Sequence, residues 1–191
     1  LAALALTVVG SSAMFTVFTY SAPILRDVTH ASTNFVTGML VLFGIGLTLG
    51  NVWGGKSADR SVDRTLIISL VVLIAVLLAF SVLMQWPLPA ALSILLWGAA
   101  SFALVPPLQM RVMEAAKDAP NLASAMNIGA FNFGNAIGAA LGGAVINAGL
   151  GYPAISLAGA LMAGLGLLMV LGLSWRSRRA DARAGRETVQ A

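Results

Sequence analysis

The chain has 191 residues, of which 59% are hydrophobic and only 9% carry a formal charge, and its net charge is +4. Soluble domains have about 25% charged residues, so this composition excludes an ordinary water-soluble fold. The stretches 1–25, 28–55, 65–110 and 119–175 carry no formal charge. Most of the chain is therefore expected to lie in lipid.

These uncharged stretches predict six membrane-spanning helices, because a bilayer core of about 30 Å needs roughly 20 helical residues. The first two stretches each fit one crossing, and the longer two each fit two crossings, divided at 85–89 and 149–153. Helices satisfy their own backbone hydrogen bonds in lipid, and continuous apolar runs do not fit the alternating strands of a barrel. The prediction is an all-α polytopic membrane bundle. In chain order, the predicted spans are 1–22, 34–55, 65–85, 88–110, 121–147 and 153–175.

The basic residues predict the orientation of the bundle. With alternating spans, Arg26 lies on one side and the other ten cations lie on the opposite side. The positive-inside rule then places both termini in the cytoplasm, with 176–191 as a basic cytoplasmic tail. Because the positive charge sits at the ends of spans, it indicates topology and attraction to membrane lipid, and it argues against binding of nucleic acid.

The end of the second span matches the phosphate-binding loop pattern G-x-x-x-x-G-K-[ST] over residues 50–57. That pattern cradles phosphate only between a strand and a helix. Here a membrane span precedes it, so no nucleotide site is predicted.

The same loop reads Gly-Lys-Ser-Ala-Asp-Arg-Ser-Val-Asp-Arg over residues 55–64. It resembles the G-x-x-x-D-R-x-G-R-[RK] loop of the major facilitator superfamily. Four positions match, namely Gly55, Asp59, Arg60 and Arg64. Val62 and Asp63 depart from the pattern, which fits the degenerate copy between the eighth and ninth helices of that family. The alternative is a solvated loop whose charges only set topology.

The resemblance implies a cytoplasmic gate, in which the aspartate approaches the positive N-terminus of a helix in the other half and the arginines hold the closed state. Arg111 and Glu114 end the fourth span on the same side. They are three residues apart and can pair on one helix face, so both are assigned to this gate.

The fifth span carries glycines at positions 134, 138, 142 and 143. The segment resembles the antiporter signature G-x-x-x-G-P-x-x-G-G of the same superfamily, with Ala139 in place of proline, as expected for the second-half copy. Gly134, Gly138, Gly142 and Gly143 are predicted to allow close helix packing. The alternative is a packing face with no direct part in transport.

Polar and aromatic residues within spans predict a substrate cavity, because burying polar groups in lipid is costly. Asn127, Phe131 and Asn135 are four residues apart and share a helix stripe. Near the outer end of the first span, Phe15, Thr19 and Tyr20 supply aromatic rings and hydroxyls. For each of these residues, an interhelical hydrogen bond or a lipid contact is the alternative.

No Asp, Glu, Lys or Arg lies inside a predicted span, and the sequence has no cysteine. No catalytic set, metal site or cofactor site is predicted, so the chain is not expected to be an enzyme. If transport is coupled to protons, the titratable carboxylate is expected in another part of the protein.

The chain is identified as a member of the major facilitator superfamily, similar to arabinose-efflux-permease-like exporters of its drug/proton antiporter branch. The resemblance implies that 1–175 are helices seven to twelve, built as two inverted three-helix repeats. The implied function is proton-coupled export of a sugar, drug or metabolite across the bacterial inner membrane. The start at Leu1 instead of Met suggests a fragment, whose partner is an N-terminal six-helix half. Two alternatives are a homodimeric half-transporter and a non-transporting membrane subunit. Substrate, coupling ion and oligomeric state stay open.

Overall fold

A computed structural model describes residues 1–190, except for the side chains of 177, 178 and 180–190. This part of the chain is helical throughout, with no strand. The helices are α1 (Ala2–Phe18), α2 (Ser21–Asp27), α3 (Thr33–Ala58), α4 (Val62–Leu83), α5 (Pro87–Phe102), α6 (Val105–Glu114), α7 (Pro120–Asn147) and α8 (Tyr152–Gln190). The pairs α1–α2 and α5–α6 each form one span, which gives six helices long and apolar enough to cross a membrane. The predicted all-α class and six spans are confirmed.

The first and fourth spans are interrupted at corresponding positions. Helix α1 ends at Phe18 and α2 carries Pro23, whereas α5 ends at Phe102 and α6 carries Pro107. Proline has no backbone N–H and restricts the residue before it, which disturbs a continuous helix. The separation of Phe18 from Pro23 in the first span equals that of Phe102 from Pro107 in the fourth span. The interruptions therefore belong to a repeated structural unit.

The helix packing follows the same repeat. The main interfaces join α1 to α7, α3 to α5 and α4 to α8, and α8 and α5 add further contacts to α1 and α4, respectively. In the two repeats, α1 corresponds to α5, α3 to α7 and α4 to α8. The α1–α7 interface is therefore equivalent to the α5–α3 interface, and the α4–α8 interface is equivalent to itself. This is the pairing expected of two inverted three-helix repeats.

Two glycine ladders hold the equivalent interfaces together. Gly46, Gly50 and Gly54 on α3 face α5, and glycines 88 positions later face α1 from α7. A Cβ added at Gly54 would lie 2.5 Å from the carbonyl oxygen of Ala103, and one added at Gly138 would lie 2.5 Å from that of Ser12. The backbones therefore touch, as small residues allow in membrane helices.

Helix termini carry residues suited to them. The hydroxyls of Ser32 and Ser61 accept hydrogen bonds from the backbone N–H groups of Phe35 and Arg64 and cap α3 and α4. Between α7 and α8, Gly149 and Gly151 have φ angles of +72° and +77°. Glycine adopts this left-handed region without a steric penalty, so the chain turns at the predicted 149–153 boundary.

The predicted tail, residues 176–191, begins within a helix, because α8 continues to Gln190. The guanidinium of Arg179 lies 3.5 Å from the centre of the Trp175 ring, a favourable cation–π contact. The side chains of Arg178, Arg183 and Arg186 lie outside the described residues. The last helix therefore extends past the end of the predicted sixth span.

Candidate functional site

One end of the bundle collects charged side chains from several helices. This end contains the α3–α4 loop, the α6–α7 loop and the part of α8 around Ser174. We call this end of the bundle the basic end. Arg111 Nη1 lies 2.9 Å from Asp63 Oδ1, and Ser174 Oγ donates a 2.5 Å hydrogen bond to Asp63 Oδ2. Asp63 lies in the first turn of α4, where the helix dipole favours an anion. One carboxylate thus joins α4, α6 and α8.

The partner of Arg111 differs from the expected one. Its guanidinium pairs with Asp63 on α4, whereas Glu114 is exposed and makes no ion pair within the described residues. The Arg111 side chain is 18% exposed and the Asp63 side chain 39%, so the interhelical pair is partly shielded from solvent. Asp63, which departs from the family loop pattern, is the residue that makes this contact.

The remaining gate candidates face outward at the basic end. Asp59, Arg60 and Arg64 are exposed, and none of them forms an ion pair with another described residue. A Cβ added at Gly55 would have no atom within 4 Å. Asp59, Arg60 and Arg64 therefore lie on the surface at the basic end, and Gly55 has open space around it.

A chain of uncharged polar side chains crosses three helices. Thr7 Oγ1 donates to Asn127 Oδ1 at 2.7 Å, and Asn127 Nδ2 donates to Gln109 Oε1 at 2.5 Å. Gln109 Nε2 then donates to Ser124 Oγ at 3.1 Å. Asn127 is buried, and its amide ties α1 and α6 to α7. The sequence predicted Asn127 as a cavity residue, and the structure shows it in the interhelical hydrogen bonds that were the alternative. Gln109 was not singled out, although a polar residue just after Pro106 and Pro107 was a usable signal.

Aromatic rings form a second connection through the bundle. Phe15 and Phe131 meet edge to face with centroids 6.2 Å apart, and Phe15 lies 5.3 Å from Phe18. Phe43 and Trp97 continue the series at 5.1 Å and 4.7 Å. Trp97 is only 1% exposed and belongs to the core, whereas Phe15 and Phe131 are half-buried. These two predicted cavity residues are therefore adjacent at the edge of the core.

The other cavity candidates occupy different settings. Tyr20 packs its ring against Gly142 and donates a 2.9 Å hydrogen bond to the carbonyl oxygen of Ala139. Thr19 is exposed and donates to the carbonyl oxygen of Phe15 at 3.0 Å. The side-chain oxygen of Asn135 is buried without a partner among the described residues. Tyr20 thus fastens the α1–α2 junction to α7, and Asn135 retains an unused acceptor.

Gly134, Gly138 and Gly142 all lie against α1, and a Cβ at Gly143 would be 2.9 Å from the Tyr20 hydroxyl oxygen.

At the far end of the bundle, Tyr152 donates a 2.6 Å hydrogen bond to Asp27 and joins α8 to α2. Sequence reasoning missed this bond, because its partners are 125 residues apart. The described residues contain no group of His, Cys, Asp or Glu side chains able to hold a metal ion.

The interrupted spans, the inverted packing and the uncharged core give this bundle the features of a transporter unit. A family model described as Major Facilitator Superfamily matches residues 4–189. The chain belongs to the Major Facilitator Superfamily. It is therefore a member of a membrane transporter family and not an enzyme.

Three similar members of the superfamily come from bacteria. The chain is 56% identical over 170 residues to the inner membrane transport protein YdhP of Escherichia coli strain K12, covering 89% of the chain and 44% of YdhP. It is 29% identical over 184 residues to the putative transporter AraJ of the same strain, covering 93% and 46%. With a probable sugar efflux transporter of Helicobacter pylori strain ATCC 700392 / 26695, it shares 31% identity over 142 residues, covering 74% and 36%. The chain thus spans less than half the length of these relatives.

Proposed function

We propose that this chain is the C-terminal six-helix half of a major facilitator exporter that moves a small neutral molecule across the bacterial inner membrane. In this proposal, a preceding six-helix half completes the transporter, and the two halves rock around a central cavity. The names of the relatives support export at the inner membrane, since they include an inner membrane transport protein and a probable sugar efflux transporter.

The observation that carries the proposal is a difference between exposed helix faces. Helix α8 exposes a stripe of leucines that suits lipid, including Leu161, Leu165 and Leu168. Helix α7 instead has an exposed stripe of small or polar residues beside large apolar ones. The stripe consists of Ala125, Gly129, Asn132, Ala136, Ala140 and Ala144, and the exposed large side chains are Leu122, Met126, Ile128, Phe133 and Ile146. Within an 18-residue apolar segment of each span, 22% of the residues are buried in α7 and 28% in α3. The corresponding share in the other four spans is 39–50%.

The small and polar positions on α7 and α3 suit another protein surface better than lipid. Small residues let helix backbones approach closely in membranes, whereas polar side chains that face lipid are costly. On α3, Gly38, Gly44 and Gly55 have open space around them, and Thr48 and Asn51 are exposed. We assign α3 and α7 to the interface with the second half.

The cavity in this proposal is lined by neutral groups. Phe15, Phe131, Thr19 and the unpaired amide oxygen of Asn135 contact the substrate, while Tyr20 and Asn127 hold the cavity wall through their bonds to neighbouring helices. Aromatic rings together with hydroxyl and amide groups suit a neutral polar molecule such as a sugar. A drug or metabolite with similar groups would fit the same description.

The basic end forms the cytoplasmic gate in this proposal. The exposed Asp59, Arg60 and Arg64 meet the second half when the gate closes, and the Asp63–Arg111–Ser174 cluster keeps three helix ends together as they move. The positive-inside rule supports a cytoplasmic position for this end. Since the span interiors carry no charged side chain, the carboxylate that couples transport to protons is assigned to the other half.

Reconstitution tests this proposal. Proteoliposomes would hold either this chain alone or the chain together with its preceding half, and efflux of labelled neutral sugars would be followed under an imposed proton gradient. We expect efflux only from vesicles with both halves and its loss when a protonophore collapses the gradient. Equal efflux from the chain alone would contradict the proposal. If the chain were also crosslinked as a dimer, that result would support a homodimeric half-transporter.

A further inference from the structure

Two neighbouring cavities lie at the basic end, one between α3, α4 and α5 and the other between α3 and α4. The first is an apolar groove of about 290 Å³ whose walls include Leu49, Ile68, Val72 and Leu96. The second has a volume of about 320 Å³ and is lined by Arg60, Arg64 and the hydroxyls of Ser57, Ser61 and Thr65. Trp53 and Ile68 line both cavities. A polar, cationic cavity, called the mouth below, therefore lies next to an apolar groove.

The charge of the mouth is not neutralised within the described part of the chain. Arg60 and Arg64 form no ion pair there, and the carboxylate of Asp63 is taken up by Arg111 and Ser174. Asp59, the other nearby acid, does not line the cavity. Two arginines thus line the same cavity without a carboxylate partner. Their guanidinium groups are free to bind an anionic group such as a phosphate.

The groove has the depth and chemistry of a lipid site. Val72 follows Arg64 by eight residues on α4, which is about 12 Å along a helix. Part-way down, Ser69 is 2% exposed, and its hydroxyl has no hydrogen-bond partner in the described structure. Trp53 lines both cavities, and tryptophan is enriched at membrane interfaces.

We propose that these cavities bind one anionic phospholipid from the leaflet at the basic end. Its phosphate lies between Arg60 and Arg64, its ester group reaches the Ser69 hydroxyl, and an acyl chain follows the groove toward Leu96. A free phosphate ester would use the mouth but leave the apolar groove empty. A zwitterionic lipid would fill the groove but add a third cation beside the two arginines. The combination favours an anionic amphiphile.

Native mass spectrometry of the protein as its gene encodes it tests this site without a transport assay. The probes are dioleoyl phosphatidylglycerol, dioleoyl phosphatidylcholine and glycerol 3-phosphate. We expect phosphatidylglycerol to bind about tenfold more tightly than phosphatidylcholine, since each basic residue near a membrane surface attracts anionic lipid. Glycerol 3-phosphate should neither bind with similar affinity nor displace the lipid.

Matched variants separate the site from general surface charge. Arg60→Gln with Arg64→Gln should abolish the preference for phosphatidylglycerol, whereas Lys117→Gln with Arg176→Gln removes two exposed cations outside both cavities and should preserve it. Val72→Trp should fill the groove and weaken both lipids, while Val71→Trp on the neighbouring exposed position should not.

Three results would overturn the lipid site. The first is equal affinity for the two lipids. The second is an equal loss of the preference for phosphatidylglycerol in the Arg60→Gln/Arg64→Gln variant and in the Lys117→Gln/Arg176→Gln control. The third is displacement of lipid by glycerol 3-phosphate. The first two indicate unspecific attraction, and the third indicates a site for a soluble phosphate ester. None of them bears on whether the whole protein transports a substrate, so the lipid site and the proposed function fail independently.

Discussion

Replacing Gly138 with leucine is expected to remove most of the folded protein. The new Cβ would lie 2.5 Å from the carbonyl oxygen of Ser12 and 2.9 Å from the backbone nitrogen of Thr16. Backbone atoms of α1 cannot move aside as a flexible side chain would, so α1 and α7 must separate. Overpacking a tight interior costs about 1–3 kcal/mol and occasionally more. The upper end of this range is expected against rigid backbone, and it is a large part of a total stability of roughly 5–15 kcal/mol.

The measurement is the yield of monodisperse protein in size-exclusion chromatography, followed by thermal unfolding in detergent. Gly164→Leu on α8 is the matched control, because a Cβ there has no atom within 4 Å. We expect a nearly complete loss of the monodisperse peak for Gly138→Leu and a normal peak for Gly164→Leu. Equal yields and melting temperatures for the two variants would contradict the described α1–α7 packing.

Replacing Asp63 with alanine is expected to lower both stability and transport. The change leaves the partly shielded guanidinium of Arg111 without its anion and removes the acceptor of the Ser174 hydroxyl. Loss of one partner from a fully buried pair costs about 3–5 kcal/mol. Because Asp63 is 39% exposed, solvent screening reduces the expected loss to about 1–2 kcal/mol.

Asp59→Ala is the control for Asp63→Ala, since Asp59 is exposed and forms no described ion pair. Thermal unfolding should be nearly unchanged for Asp59→Ala, within about 0.5 kcal/mol. Transport should still fall in that variant if Asp59 belongs to the gate. Exchanging the charges, with Asp63→Arg and Arg111→Asp together, should recover part of the lost stability. Identical unfolding curves for Asp63→Ala and Asp59→Ala would show that the three-helix cluster does not stabilise the bundle.

The spans could be predicted from the sequence because charge and hydropathy report directly on the solvent around each segment. The uncharged stretches therefore located the six membrane spans. The partner of Arg111 could not be predicted in this way. Local helix spacing suggested Glu114, but the structure supplies Asp63, which is 48 positions earlier and becomes a neighbour only through the packing of α4 against α6.

The glycine ladder of α3 was present in the sequence and was overlooked. Gly46, Gly50 and Gly54 recur 88 positions later as the ladder of α7. Only the second copy was recognised, because the first overlaps residues that match a phosphate-binding pattern. The hydrogen bonds of Tyr20 and Asn127 were out of reach for another reason. Ala139, the partner of Tyr20, and Thr7, one partner of Asn127, lie more than 100 positions away. Whether such a side chain packs or contacts substrate depends on the geometry of the fold.

The most direct test of a two-bundle transporter is the transport rate of the whole protein with tryptophan introduced on one exposed helix face at a time. Ala140→Trp places a large ring on the small-residue face of α7, and Leu161→Trp places the same ring on the leucine face of α8. We expect Ala140→Trp to lower sugar efflux at least tenfold, because the second half can no longer approach α7. Leu161→Trp should transport at the parental rate. Parental transport by both variants would contradict the docking of a second half along α7.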